Sequence, residues 1–462
     1  MPMIPFIEVL KRAQSGPFCK PREWDMKVIY EKVRNTLNEH GLKGTYDPQN
    51  PVNTDDGLAD EFFKAAFNLA LEVGMYCIDT QRMIKFSEEE LKEAIYEAVE
   101  SVTIGKYPDE AFLRARKPED EVLPTAFFGP FGLPIDENLW IPIHQSTAQY
   151  RVVDALVPGT LERLYGVEIR AGTPIETLAG KYEAVLTKEA VRRAGRPNMG
   201  LSGPETSPTE FGHFGGYGVP GGYEATDVNI VLAVAELKTD YARLHKVAHI
   251  LNLGAPICSG HESMVGGFPE TPEGATLVSI AAVILEIVVL QATIPGGNPF
   301  DVRFSCNTSR ETIWADSVSG QAQSKHLTRP LVASLSTLAG PCTDMLLYEC
   351  TAKGVSVVVS GHSLLWGVRS SGGIYKNYGT GLENKFAAEV TKASAGMKRS
   401  DANEIVKEIL PKYESKLKNP PKGKNFLECY DPTTLKPSEE WATIYNRVRK
   451  ELIDLGVPLQ KR

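Results

Sequence analysis

The sequence predicts an α/β protein, a (β/α)8 barrel with helical extensions at both ends, and three observations lead there. Short apolar, strand-like runs alternate with long helical patterns over most of the chain, as parallel strands wrapped by helices require. The length of 462 residues fits a single barrel with insertions, since such barrels run from about 200 to over 400 residues. At Gly200-Leu201-Ser202-Gly203-Pro204-Glu205 an apolar run stops abruptly, because Pro204 cannot continue a ladder and Gly203 frees the backbone to turn. Catalytic groups of a barrel collect at such strand ends.

Residues 1–120 read as an N-terminal helical extension. Leu58, Phe62, Phe63, Ala66, Phe67, Leu69, Ala70 and Val73 fall at helical spacing over 56–76, and Ser87 followed by Glu88-Glu89-Glu90 caps a second helix to about residue 102. The density of Gly and Pro over 124–143 predicts short strands and turns. The barrel is placed at 121–400. Its predicted helices are 175–194, 225–253, 272–294, 312–327, 342–353 and 381–396. The strands legible between them are 198–202, 256–259, 301–306, 331–336 and 355–360, which leaves some of the eight unassigned. Residues 401–462 form a C-terminal helical segment, with helices at 400–417 and 437–455 and a Pro/Lys-rich connection at 418–424.

Composition removes several classes of function. Hydrophobic residues make up 42% and charged residues 23%, an ordinary globular balance. A net charge of -8 argues against nucleic acid as a partner, because phosphate binding needs clustered Lys and Arg. Seven cysteines without a C-x-x-C pair read as reduced thiols of a cytoplasmic protein. No signal peptide is indicated, and the apolar segment 275–294 carries Glu286 and Gln291. It fits a buried barrel helix better than a membrane span.

The expected strand ends offer Ser202, Glu205, Gly260, His261, Glu262, Arg303, Cys306, Asn307, Ser334, Ser336, Ser360 and His362. This mixture of hydroxyl, carboxylate, imidazole and guanidinium suits a polar organic substrate. After Ser202 runs a glycine-rich loop bearing Glu210, His213, Phe214, Tyr217 and Tyr223. Two readings of its aromatic residues stand: a lid that closes over a methylated ammonium group, or anchors packed down onto the barrel. No metal site is expected. His245 and His249 lack an H-E-x-x-H, and Cys258 with His261 lacks further ligands. Neither Ser202 nor Ser363 passes the nucleophile-elbow test, because Pro204 and Leu365 stand where G-x-S-x-G needs its last glycine.

The stretch Ala194-Gly195-Arg196-Pro197-Asn198-Met199-Gly200-Leu201-Ser202-Gly203-Pro204-Glu205-Thr206-Ser207 resembles the central motif of the monomethylamine:corrinoid methyltransferases of methanogenic archaea. Further stretches resemble that family in the same order: Phe63-Lys64-Ala65 through Met75-Tyr76-Cys77-Ile78-Asp79-Thr80, Asn307-Thr308-Ser309-Arg310-Glu311-Thr312, Ala339-Gly340-Pro341-Cys342-Thr343, and Lys424-Asn425-Phe426-Leu427-Glu428-Cys429-Tyr430-Asp431. Together they span nearly the whole chain.

The resemblance implies a TIM barrel, a homo-oligomer of six, and methyl transfer to the Co(I) of a corrinoid carried by a separate protein. The absence of a D-x-H-x-x-G signature agrees with a cofactor that belongs to the partner. Where the family holds pyrrolysine, whose ring imine captures the amine, this chain has Ser202. Where the family surrounds that residue with Glu, Gln and Tyr, it has Gly260, Ser334 and Ser336. A serine hydroxyl is no electrophile. The expected donor is therefore a small methylated compound other than monomethylamine, such as a quaternary or tertiary amine, a betaine or a methylthio compound. Ser202 would lie beneath it, Glu205 and Arg303 would orient it, and His261 or Glu262 would deliver a proton. Phe214 and Tyr217 would form the lid, with His213 beside them. The alternatives are monomethylamine bound directly and a non-catalytic protein that binds the corrinoid partner.

Overall fold

Eight parallel strands follow one another around the centre of the molecule. The computed structural model describes residues 4–206 and 209–459, so Ser207 of the central motif lies outside the described residues. The strands are β1 (Thr125–Phe128), β2 (Ala155–Leu156), β3 (Gly200–Gly203), β4 (Val228–Leu232), β5 (Ile257–Val265), β6 (Gly297–Asp301), β7 (Val332–Ser336) and β8 (Leu364–Arg369). Each except β6 pairs with the next in parallel, and β8 pairs back onto β1 from Leu364↔Thr125 to Gly367↔Phe128. Only the seam between β6 and β7 lacks a regular ladder. There Val332 N donates to Pro295 O at 3.1 Å, and side chains complete the closure. This is the expected TIM barrel.

The N-terminal region supplies α1 (Asp56–Val73) and α2 (Glu88–Tyr96). Ser87 and Glu90 form the expected capping box. That helix stops at Tyr96, and Ser101–Ile104 pairs antiparallel with Ala111–Arg114. The hairpin puts Ile104, Ala111 and Leu113 into the same apolar cluster as the barrel-interior residues Phe127, Ala155, Val228, Cys258, Val332, Leu364 and Trp366. One end of the barrel is thereby filled with apolar side chains.

Around the strands run α3 (Trp140–Ala148), α4 (Pro174–Arg193), α5 (Glu210–Gly216), α6 (Tyr241–Leu253), α7 (Pro272–Val289), α8 (Arg310–His326), α9 (Asp344–Val359) and α10 (Gly381–Ala393), one after each strand. The chain ends with α11 (Arg399–Ile409) and α12 (Glu439–Asp454). Every residue of α7 is buried because α1 packs on its outer side, which explains its membrane-like composition. All seven cysteines are buried and unpaired.

Four sequence assignments are corrected. Residues 355–360 are not a strand but the end of α9: a helix buried on all sides carries apolar residues all round, and its β-branched Val run mimics a strand. The strand expected at 301–306 is β6, which ends at Asp301; Asp301 and Cys306 then close a turn as an antiparallel bridge. The predicted helix 225–253 contains β4, and α6 starts only after Asp240, whose side chain caps Arg243 N at 2.8 Å. Within 124–143, Pro142 does not prevent α3, because it sits in the helix's first turn, where no intrahelical N–H is needed.

Candidate active site

Strand alternation sorts the candidates by the face they occupy. On β3, Leu201 joins the outer core, and its neighbour Ser202 faces the barrel interior. Ser202 is wholly buried, and its Oγ makes no hydrogen bond to a described residue. Gly203 is required by close approach, since a Cβ there would fall 2.4 Å from the Tyr223 ring.

What holds the turn after Ser202 is α4. Buried Glu183 accepts from Glu205 N at 3.0 Å, Thr206 N at 2.7 Å and Tyr223 Oη at 2.7 Å. Two turns earlier, Glu176 accepts from Thr209 N at 2.9 Å and Thr209 Oγ1 at 2.7 Å. Burial raises the Glu183 carboxyl above its ordinary range, and the donors from Thr206, Tyr223 and Glu205 oppose that rise. Glu205 itself presents an Oε1 without a partner among the described residues. Burial, then the neighbouring Glu183, pushes its carboxyl up to about 8, while Lys246 acts in the other direction.

The aromatic loop takes the packed-down form, and the lid expectation is corrected. Tyr217 is fully buried, donates its Oη to Asp227 O, and stacks on His213 with ring centroids 5.5 Å apart. His213 is 1% exposed, and burial holds its imidazole well below the usual range. Phe214 is half-buried with its ring edge-on to His249 at 5.2 Å. These rings fix α5 against α4 and α6 and leave none of the three free to close over a ligand.

On β5 the inward positions are Cys258, Gly260 and Glu262, and His261 points the other way. His261 Nε2 accepts from Leu237 N at 3.2 Å and lies 3.4 Å from Glu236 Oε2. Burial pushes this imidazole down to about 3, so His261 does not deliver protons to the mouth, and its proposed catalytic place is corrected. Glu262, by contrast, is inward yet exposed to solvent. The protein around it raises its carboxyl, while Arg369 and Lys353 pull the other way.

Three further candidates meet at the seam. Asn307 donates from Nδ2 to Ser334 O at 2.9 Å and Ser334 Oγ at 3.0 Å, and its Oδ1 accepts from Ser336 N at 2.9 Å. Asn307 is thus structural, while Ser334 stays partly accessible. Arg303 is committed elsewhere: its Nε and Nη2 donate to Asp301 at 2.9 and 2.7 Å, and it also pairs with Glu311. These carboxylates raise its pKa further, and the expected orienting role is corrected to that of a rim brace. Ser360 and His362 follow α9 rather than a strand, and Cys306 is wholly buried. His245 pairs with Glu210 at 3.4 Å and His249 with Tyr217 O at 3.2 Å, so the two do not face one centre.

Sequence reasoning missed Glu183, Asn298, Trp366 and Arg369. Placing the last strand at 355–360 hid the true end of β8, where Trp366 and Arg369 stand. Asn298 Oδ1 accepts from Ser334 N at 2.7 Å. The Trp366 indole sits 4.5 Å from the Phe127 ring and 6.0 Å from that of Phe131, and its Nε1 is buried without a partner. Ser202 and Trp366 thus lie buried inside the barrel, while Glu262 on β5 is exposed and Arg369 at the end of β8 is half-buried.

The family model described as Monomethylamine methyltransferase MtmB matches residues 4–457. Monomethylamine methyltransferase MtmB of Methanosarcina mazei is 34% identical over 448 residues, 96% of each chain. MtmB3 of Methanosarcina barkeri is 34% identical over 451 residues, again 96% of each chain. Among solved structures, the Methanosarcina barkeri monomethylamine methyltransferase (MtmB) superposes with a TM-score of 0.94 at 32% identity over 98% of each chain. A hydroxylamine complex of MtmB gives the same values. The agreement extends from the N-terminal helices through the barrel to the C-terminal segment, and the chain belongs to the monomethylamine methyltransferase MtmB family.

Proposed function

We propose that this protein moves a methyl group from a small N-methylated donor to the Co(I) of a corrinoid presented by a separate protein, and that the donor is not monomethylamine. The observation that carries the reading is Ser202, buried in the barrel interior where the resemblance expects an electrophilic side chain. Ammonia is a poor leaving group, and a hydroxyl cannot form an adduct that improves it. A quaternary ammonium group is already cationic and leaves as a neutral tertiary amine with no proton to supply, so it needs only to be positioned and shielded.

The mouth suits that task. Trp366 and Phe131 offer aromatic faces to an alkylammonium group, and Glu262 offers a carboxylate. The rim also fits a partner that must close over the mouth. Leu232, Phe268, Val302, Ile374 and Tyr375, on strand ends and loops after β4, β5, β6 and β8, are 46%, 39%, 42%, 71% and 38% exposed. Apolar side chains in that number around an opening mark a contact surface. The corrinoid would supply the cobalt nucleophile; this chain would hold the donor and exclude water.

The test mixes the protein with a Co(I) corrinoid protein and a panel of methylated amines, betaines and thioethers. The expected result is a methyl–Co(III) spectrum with a quaternary donor and none with monomethylamine. Failure with every donor overturns the transfer reading, and rapid turnover of monomethylamine overturns the donor assignment.

A further inference from the structure

We infer that the mouth recognises an N-methylated zwitterion, its carboxylate held by Arg369 and its quaternary ammonium group set between Glu262 and the Trp366–Phe131 wall. The donor role of this ligand rests on the function proposed above, whereas its binding does not.

Arg369 ends β8 opposite Ser336 of β7, and Glu262 lies on β5, three strands away around the barrel. Neither side chain forms an ion pair or hydrogen bond with a described residue. Among the charged groups around Glu262, Arg369 is the first to oppose the rise of its carboxyl. A cation and an anion on the strands of one barrel, paired neither with each other nor with another described residue, are both left to engage a ligand. A ligand bearing both signs does so in one piece. A simple amine would leave Arg369 unpaired, and a simple carboxylate would leave Glu262 so.

The guanidinium is also braced without using its donors. A Cβ on Gly373 would lie 2.4 Å from Arg369 Nε and 2.6 Å from Nη2, and Gly373 adopts φ +73°, so both the space and the backbone there call for glycine. The guanidinium therefore packs against this turn, and its N–H groups make no hydrogen bond to a described side chain, which leaves them to a carboxylate ligand. Deeper in the barrel, Trp366 Nε1 and Ser202 Oγ are buried polar atoms without a partner among the described residues. Such atoms are rare unless a ligand or water satisfies them.

Calorimetric titration without any corrinoid protein tests the inference, with N,N,N-trimethylglycine, trimethylamine and acetate as probes. Trimethylglycine should bind at least about tenfold tighter than either fragment. Arg369→Met should weaken trimethylglycine by about tenfold or more and leave trimethylamine unchanged, with Arg369→Lys intermediate. Glu262→Gln should weaken both cationic probes. Unchanged melting temperatures check that the variants fold. Equal affinity for trimethylglycine and trimethylamine, or an Arg369→Met protein that binds trimethylglycine normally, overturns the inference. Tight binding of trimethylglycine without methyl–Co(III) formation from any donor would instead defeat only the transferase reading.

Discussion

Glu236 and His261 face each other 3.4 Å apart, the one 2% and the other 0% exposed at the side chain, and each is buried in its neutral form. Burial lifts the Glu236 carboxyl to about 8, against one backbone donor from Met264, and lowers the His261 imidazole to about 3. The two shifts act on stability with opposite signs. A raised carboxyl holds a proton in the folded state that the unfolded state releases above about pH 4.3, so it weakens the fold as pH rises towards 8. A lowered imidazole strengthens the fold as pH rises towards about 6.5. Between about pH 4.3 and 6.5 they oppose each other, and from 6.5 to 8 only the carboxyl acts, at up to ~1.4 kcal/mol per pH unit. Glu236→Gln should therefore remove part of the stability lost between pH 6.5 and 8. Urea denaturation at pH 6.5 and 8 measures it. Glu349 and Glu383, each raised to about 7 by burial, add to the same slope, so the difference between protein and variant is the readout, and an identical slope would clear Glu236.

At the scale of elements, α4 positions the turn after β3 more than the turn's own residues do. Its Glu183 takes two backbone N–H groups and a phenol, and its Gly180 lets α5 approach so closely that a Cβ there would meet Gly212 O at 1.9 Å. Glu183→Ala would leave three donors without an acceptor, two of them buried, at ~1–3 kcal/mol each where water cannot reach them. The expected loss is ~3 kcal/mol or more, with Glu183→Gln losing less because one carbonyl oxygen remains. Denaturation midpoints test the stability, and donor titration below the melting range should show affinity falling with it. The turn itself was legible because Gly and Pro punctuate locally, and the capping box at Ser87 for the same reason. Glu183 was not, because a glutamate on an amphipathic helix looks solvated until the loop it grips folds over it. β8 was misplaced because Val355 to Val359 have the composition of a strand and the burial of a helix, and only the tertiary contacts of α9 decide between them. Aromatic residues between glycines allowed both a lid and an anchor, and close packing of His213, Tyr217 and Tyr223 selected the anchor.

For the whole molecule, the barrel closes by two different means. Seven junctions are backbone ladders, as the parallel pairings from β1 to β6 and from β7 through β8 to β1 require. The eighth, between β6 and β7, depends on side chains: Asn298 Oδ1 takes Ser334 N, and Asn307 takes Ser336 N while giving its amide to Ser334. Because this seam forms one wall of the mouth, closing the barrel and shaping the site are a single task there. Asparagine can do it because it presents an acceptor and a donor from one short side chain. Asn307→Ala would strip the partner from the buried Ser336 N–H and remove both bonds to Ser334, for an expected loss of ~2–4 kcal/mol. Asn307→Asp keeps the acceptor, loses the donor and buries a charge, so it should rescue little. Donor affinity should fall in both variants, since Ser334 faces the mouth, and hydrogen exchange should rise first at Val332 to Ser336. A loss below ~0.5 kcal/mol in Asn307→Ala, with exchange unchanged, would mean that the helices outside the seam hold the barrel shut without it.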